Sequence, residues 1–146
     1  MERSLVLLKP DAIHRGLIGD ILARMERRGI KIVGLKMITL GNDLIADHYS
    51  HLASKPFFPE IVAYMTAGPI VALVAEAEGV VSLLRTMCGP TNSADALPGT
   101  IRGDYATTIR YNIIHASDSI ETAEVEIKRF FAANELSDYG RIVLEG

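Results

Sequence analysis

The chain is poor in cysteine, in tryptophan and in long apolar runs. Among its 146 residues are one cysteine, Cys88, and no tryptophan. One thiol forms neither an intrachain disulfide nor a cysteine-rich zinc site, so nothing indicates an oxidising compartment. The apolar run at residues 4–8 is shorter than the roughly 7–15 residues of a secretory signal, and no run approaches the roughly 20 residues of a membrane span. We therefore expect a cytoplasmic protein without membrane contact.

An excess of positive charge is also missing. Lysine and arginine number 15 against 18 aspartates and glutamates, which gives a formal net charge of −3. Proteins that bind nucleic acid usually carry a basic surface, so no nucleic-acid partner is expected. Apolar residues make up 49% of the chain and no linker, repeat or low-complexity segment divides it. This composition predicts one globular domain over residues 1–146.

The common glycine-rich phosphate-binding motifs are absent as well. The chain has no G-x-x-x-x-G-K-[ST], and no predicted strand is followed by G-x-G-x-x-G. Any phosphate would therefore have to be bound by side chains. Lys9, Arg85 and Arg102 are candidates, because a guanidinium fork or an ammonium group suits phosphate oxygens. Each of them, taken alone, is more often a solvated surface cation.

Hydrophobic periodicity predicts alternating strands and helices. Short apolar runs predict strands, at residues 4–8, 30–40, 70–75 and 108–114. Apolar residues at helical spacing predict helices, at residues 17–28, 42–52, 57–67, 80–88 and 118–130. Residues 90–105 follow neither period and are predicted to form a loop, with Arg102 in it. A loop of that length in a small domain is usually functional. The tail at 135–146 is expected to pack on the surface or on a neighbouring subunit.

The four histidines differ in their sequence context. His115 ends the last predicted strand and stands directly before a predicted helix, whose free N–H groups can bind phosphate oxygens. A histidine of this kind, taken alone, is more often structural than catalytic. His48 and His51 are spaced i, i+3, but no third ligand or H-E-x-x-H accompanies them. A metal site at that pair is therefore not expected.

Four segments resemble nucleoside diphosphate kinases in order and spacing. They are Lys-Pro-Asp at 9–11, Lys-Pro-Phe-Phe at 55–58, Gly-Thr-Ile-Arg-Gly-Asp at 99–104 and Asn-Ile-Ile-His-Ala-Ser-Asp-Ser at 112–119. The last is the most specific, and the resemblance spans about residues 1–137. It implies an α+β fold with a ferredoxin-like βαββαβ antiparallel sheet. The helical pair at 42–67 would be an inserted hairpin that forms one wall of a nucleotide cleft.

The resemblance also implies an activity. The γ-phosphoryl group of a nucleoside triphosphate, typically ATP, would pass to a nucleoside diphosphate through a phosphohistidine on His115, by a ping-pong mechanism. Glu126 would accept a hydrogen bond from the distal ring N–H, and Ser117 would bond toward the phosphate. Mg²⁺ would arrive with the nucleotide, bridge its phosphate oxygens and take no direct protein ligand. Homotetramers or homohexamers are expected.

The remaining site residues implied by the resemblance hold the nucleotide. Polar side chains would bind its phosphates and ribose, namely Lys9, Arg85, Thr91, Arg102 and Asn112. The base would stack on Phe57, with Ile61 packed near it and Tyr49 close by. Since every base has a π-face, a site built on stacking accepts many bases.

Three positions depart from the family pattern. Arg110-Tyr111 stand where Gly-Arg is common, Ala116 replaces a frequent glycine, and Ser93 stands where proline often follows Thr-Asn. The loss of that proline would loosen the loop and weaken subunit contacts, without touching the chemistry. Two alternatives stay open at this point. One is a nucleotide-binding regulatory module of ferredoxin-like fold without turnover, and the other is a structural assembly protein that kept the fold.

Overall fold

The computed structural model describes residues 1–140 and has a four-stranded antiparallel sheet at its centre. In chain order the strands are β1 (Glu2–Leu8), β2 (Lys31–Ile38), β3 (Ile70–Ala77) and β4 (Ile114–Ala116). The helices of the described residues are α1 (Pro10–His14), α2 (Ile18–Arg27), α3 (Asn42–His48), α4 (Phe58–Met65), α5 (Val80–Cys88), α6 (Ile101–Tyr105) and α7 (Ile120–Phe130). The spatial order of the strands is β2-β3-β1-β4. This confirms the predicted βαββαβ arrangement, with α3 and α4 inserted between β2 and β3.

Two apolar layers cover the two faces of the sheet. Because neighbouring strand residues point to opposite faces, Val6 and Leu8 pack with Ile21 of α2 and Leu84 of α5 on one side. On the other side Leu5, Leu7 and Val74 pack with Ile127 and Phe130 of α7. Complete burial of one such side chain contributes about 1.5–3 kcal/mol. Helix α7 is thereby fixed against β1, next to the strand that carries His115.

The last strand differs from its prediction. Residues 108–114 were expected to be extended, but β4 begins only at Ile114, so His115 lies within the strand rather than at its end. Ile113 has a φ of 74°, a left-handed conformation that interrupts extended backbone. Before it, the Tyr111 amide donates to Oγ1 of Thr108 at 3.0 Å, which makes a turn. Apolar content alone does not report such a change in backbone direction.

Two helix boundaries also correct the sequence prediction. Arg102 lies in the short helix α6, within the segment predicted as a loop. Thr100 begins this helix, because its Oγ1 accepts from the Gly103 amide at 3.0 Å. Helix α7 is capped by Ser119, whose Oγ accepts from the Thr122 amide at 3.0 Å.

The described part of the tail packs on β2. The Ser137 amide donates to the Val33 carbonyl at 2.7 Å, and the Tyr139 hydroxyl donates to the Ile32 carbonyl. Residues 141–146, also predicted to pack on a surface, lie outside the described residues. Within residues 1–140 no helix has the length and apolar character needed to cross a bilayer.

Candidate active site

A cleft of about 720 Å³ opens between the end of α3, the first turns of α7 and the segment that follows α5. Eight of the predicted site residues line it: Lys9, Tyr49, Arg85, Thr91, Arg102, Asn112, His115 and Glu126. Phe57 and Ile61 are not among its lining residues, and Ser117 is fully buried behind it. The fold thus brings together side chains from four separate parts of the chain.

His115 is held firmly at the floor of this cleft. It is the middle residue of β4 and pairs with Leu7 of β1. Its side chain is 23% exposed. Nε2 lies 3.1 Å from the Glu126 carboxylate, whereas Nδ1 has no hydrogen-bond partner within the described residues. The ring therefore has one nitrogen occupied and one available to a ligand in the cleft.

The Glu126 carboxylate determines where the imidazole proton resides. It accepts from Oγ of Ser117 at 2.7 Å as well as from Nε2 of His115. Burial opposes ionisation of this carboxyl, but the hydrogen bonds from His115 and Ser117 hold its pKa below the ordinary value. An ionised carboxylate only accepts hydrogen bonds. Nε2 of His115 consequently carries the proton, and Nδ1 keeps its lone pair.

Lys9 and Asn112 form a polar pair on the wall of the cleft. Nζ of Lys9 donates to Oδ1 of Asn112 at 2.7 Å. Burial, together with the smaller effect of the nearby positive charge of Arg102, lowers the pKa of Lys9 to about 8. An incoming anion would reverse both effects, because it would supply the negative charge that this ammonium group lacks.

Arg102 and Arg85 have different surroundings although both line the cleft. Arg102 is buried, and its guanidinium donates to three backbone carbonyls, at 2.7 Å for Gly89, 3.3 Å for Asn112 and 2.6 Å for Ile114. Arg85 is exposed, and its side chain makes no hydrogen bond or ion pair within residues 1–140. Arg102 therefore ties the segment after α5 to β4, whereas Arg85 is free to bind a ligand.

Aromatic side chains lie on the side of the site that is formed by α3 and α4. Burial raises the pKa of Tyr49 to about 12, so its phenol is neutral. The Phe57 ring is 40% exposed at the start of α4, and Ile61 is half-buried one turn further on. Tyr64 of α4 donates to Asp11, which anchors this hairpin to α1.

Sequence reasoning missed two residues behind the histidine. His48, at the end of α3, is buried with its ring edge against His115 at a centroid distance of 4.9 Å. Arg129 of α7 places Nη1 2.9 Å from Nδ1 of His48. The i, i+3 spacing of Glu126 and Arg129 on one helix was the available signal. His48 on α3 has no comparable signal in the sequence, because it lies 81 residues away from Arg129.

His48, His115 and Glu126 bring their ligand atoms within 4.8 Å of one another, as a metal site would. Arg129 argues against that use, because its N–H groups occupy the lone pair of Nδ1 on His48 and bring a positive charge. His51 is not in this cluster, and the expectation that His48 and His51 do not form a metal site together stays a prediction.

Residues 2–136 match the family model described as nucleoside diphosphate kinase. The chain is 52% identical over 141 residues to a nucleoside diphosphate kinase of Roseiflexus castenholzii, covering 97% of this chain and 95% of the relative. It is likewise 52% identical to that of Thermus thermophilus, covering 93% and 99%. Among solved structures, the nucleoside diphosphate kinase of Halobacterium salinarum in complex with CDP superimposes with a TM-score of 0.93 at 43% identity, covering 96% of this chain and 93% of that one.

The contrast between the two arginines predicts different stability effects. Arg102→Lys removes hydrogen bonds to buried carbonyls and is expected to lower the free energy of unfolding by about 3 kcal/mol. Arg85→Lys is the matched control, with an expected change within about 0.5 kcal/mol. Urea denaturation of both variants measures these values. Equal stability of the two variants would contradict the assignment of Arg102 as the link between β4 and the segment that follows α5.

Proposed function

Since the chain belongs to the nucleoside diphosphate kinase family, it is a phosphotransferase that moves a phosphoryl group from a nucleoside triphosphate to a nucleoside diphosphate, and we propose that it does so through a phosphohistidine on His115. The observation that carries this proposal is the bond between Nε2 of His115 and Glu126 at 3.1 Å. It leaves Nδ1 as the nucleophile. A regulatory module or an assembly protein would have no use for a histidine prepared in this way.

In the first half-reaction, the lone pair of Nδ1 attacks the γ-phosphorus in line. The Nδ1–P bond forms while the bond from γ-phosphorus to the β–γ bridging oxygen breaks, and the nucleoside diphosphate leaves with that electron pair. The imidazole ring gains positive charge as this happens. The carboxylate of Glu126 stabilises that charge through Nε2–H, without any proton leaving the ring. A second nucleoside diphosphate then takes the phosphoryl group by the reverse path.

The polar lining of the cleft would bind the phosphates and ribose. Lys9 and Arg85 would supply positive charge to the β- and γ-phosphates, and Thr91 a hydroxyl. Asn112 would bind the ribose and a phosphate oxygen while it keeps its contact with Lys9. Arg102 would contribute its positive charge and its remaining N–H groups, since most of its N–H groups already donate to backbone carbonyls.

The base would lie on the α3–α4 side. The exposed ring of Phe57 supports its role as the stacking surface, with Ile61 and Tyr49 beside it. Ser117 supports catalysis from behind the cleft, because its hydroxyl donates to Glu126 at 2.7 Å. Its predicted contact with the phosphate stays a prediction, and its burial favours the supporting role.

Nucleotide kinases of this family use a divalent metal ion, and we infer that the ion is Mg²⁺. Among described residues, the cluster close enough to share an ion offers two imidazole nitrogens and one carboxylate, whereas Mg²⁺ prefers oxygen ligands. Mg²⁺ would therefore enter the cleft bound to the phosphates of the nucleotide and neutralise part of their charge. The side chains of this chain bind around it rather than to it.

Three wider expectations also stay predictions: one domain over residues 1–146, a cytoplasmic location, and assembly into a homotetramer or homohexamer. Self-association is supported by β2, which lies at the edge of the sheet. Leu35 and Met37 of this strand are 54% and 56% exposed. An edge strand with exposed apolar side chains favours contact with another chain.

The proposed intermediate can be isolated. Incubation with radiolabelled ATP and Mg²⁺ is expected to add one phosphoryl group per chain that survives alkali and is lost in acid. After free ATP is removed, GDP should discharge it as GTP. His115→Asn should accept no label, whereas His51→Asn, a change at an exposed histidine on the same cleft, should label normally. The mechanism is wrong if the wild type forms no adduct or if His115→Asn forms it equally well.

The lowered pKa of Lys9 predicts a pH dependence. Below about pH 8 the ammonium group is charged and binds phosphate; above it the group becomes neutral and this attraction is lost. kcat/KM for the nucleotide should therefore fall as the pH rises through about 8, whereas kcat should be less affected because bound phosphate keeps the lysine protonated. In Lys9→Arg, which stays charged, this alkaline decline should disappear. An unchanged decline in that variant would assign it to another group.

A further inference from the structure

A row of polar groups extends behind the nucleophile, from α3 to α7. Asp47 Oδ2 accepts from Nε of Arg129 at 3.1 Å, and Nη1 of Arg129 lies 2.9 Å from Nδ1 of His48. Because Asp47 and His48 are neighbours in α3, one guanidinium contacts both. Arg129 is thus held at two points against the back of the site.

The direction of the bond between Arg129 and His48 follows from chemistry. A guanidinium has five donors and no acceptor, so Nδ1 of His48 must be the acceptor. This imidazole is therefore neutral, with its proton on Nε2. Burial is the largest cause that lowers the pKa of His48 to about 3; the positive charges of Arg129 and Lys9, and of His115 whenever it is protonated, act in the same direction, and Glu126 opposes them.

The state of His48 matters for Glu126. Nδ1 of His48 lies 3.7 Å from the Glu126 carboxylate, too far for a hydrogen bond but close enough to form one after a small shift. A protonated Nδ1 would become a donor that competes with His115 for the same carboxylate. As long as Arg129 occupies Nδ1, the carboxylate accepts only from His115 and Ser117.

We propose that Arg129 is a positioning residue of the phosphotransfer site, which fixes His48 as a hydrogen-bond acceptor and thereby reserves Glu126 for His115. The role rests on the proposed function of His115 as nucleophile. Arg129 acts through two intervening side chains and needs no contact with the nucleotide.

The same contact keeps metal ions off the site. Two histidines and one carboxylate with ligand atoms within 4.8 Å form a donor set that Zn²⁺ accepts readily. In this chain the lone pair of His48 is engaged by Arg129, and the guanidinium charge repels a cation. Removal of Arg129 would free that lone pair, and Zn²⁺ would then bind the groups that orient His115.

Arg129→Met tests both consequences, with Lys128→Met, an exposed neighbour on α7, as its matched control. In Arg129→Met the single-turnover rate of His115 phosphorylation should fall about tenfold, while KM for ATP changes less than about twofold. Calorimetry with Zn²⁺ alone should reveal one additional site, and Zn²⁺ should inhibit phosphorylation reversibly with EDTA. Arg129→Lys, which keeps a donor and a charge, should recover part of the rate and no Zn²⁺ site. Lys128→Met should match the wild type in every assay.

The second mutation His48→Gln identifies the ligand. Added to Arg129→Met, it should abolish the new Zn²⁺ site. The proposal is overturned if Arg129→Met phosphorylates at the wild-type rate, if its loss of rate comes with no Zn²⁺ site, or if the wild type binds the same ion equally. If Arg129→Met does not fold, the proposal is overturned by a wild-type phosphorylation rate in Arg129→Ala. It is likewise overturned if Arg129→Lys binds Zn²⁺ at an additional site. Absence of phosphohistidine in the wild type would instead refute the proposed function itself.

Discussion

The hydrogen bond between the Glu126 carboxylate and Nε2 of His115 is the interaction on which the rest of the site depends. A buried carboxylate that stays ionised decides which imidazole nitrogen holds the proton, and therefore which nitrogen would attack phosphorus in the proposed mechanism. The fold supplies the two partners from separate elements, β4 and α7, which are both packed on β1. Ser117 stabilises the ionised carboxylate with a second hydrogen bond. The imidazole tautomer that the proposed mechanism needs is thus present before any nucleotide binds.

The proposed binding of phosphate by side chains, instead of by a glycine-rich loop, has consequences for the protein without nucleotide. Without nucleotide, the positively charged side chains lie near one another with no bound phosphate, and burial already lowers the pKa of Lys9. The structure limits this repulsion by giving Arg102 backbone carbonyls as partners and leaving Arg85 in solvent. We expect nucleotide binding to relieve the remaining repulsion between these cations. The same cations would therefore contribute more to the stability of the nucleotide complex than to that of the free chain.

Periodicity predicted most of the strands and helices, and the family resemblance implied their antiparallel arrangement. Neither predicted features that are set by single backbone angles or distant contacts. Apolar runs located β1 and β3, and helical spacing located α2, α5 and α7, because burial on a sheet or a helix face imposes those periods. The start of β4 depends on the positive φ of Ile113, which composition does not encode. His115 and Glu126 were identified through a family pattern. His48 and Arg129 escaped because their contact joins residues far apart in sequence.

The identity of the phosphorylated nitrogen tests the central claim most directly. The wild-type enzyme, labelled with ¹⁵N in its histidine rings and phosphorylated by ATP and Mg²⁺, can be studied by ³¹P and ¹⁵N NMR. Since Glu126 holds Nε2–H, the phosphorus should couple to Nδ1 of His115 and the Nε2 proton should remain bound. Phosphorus on Nε2, or on any other residue, would contradict the account.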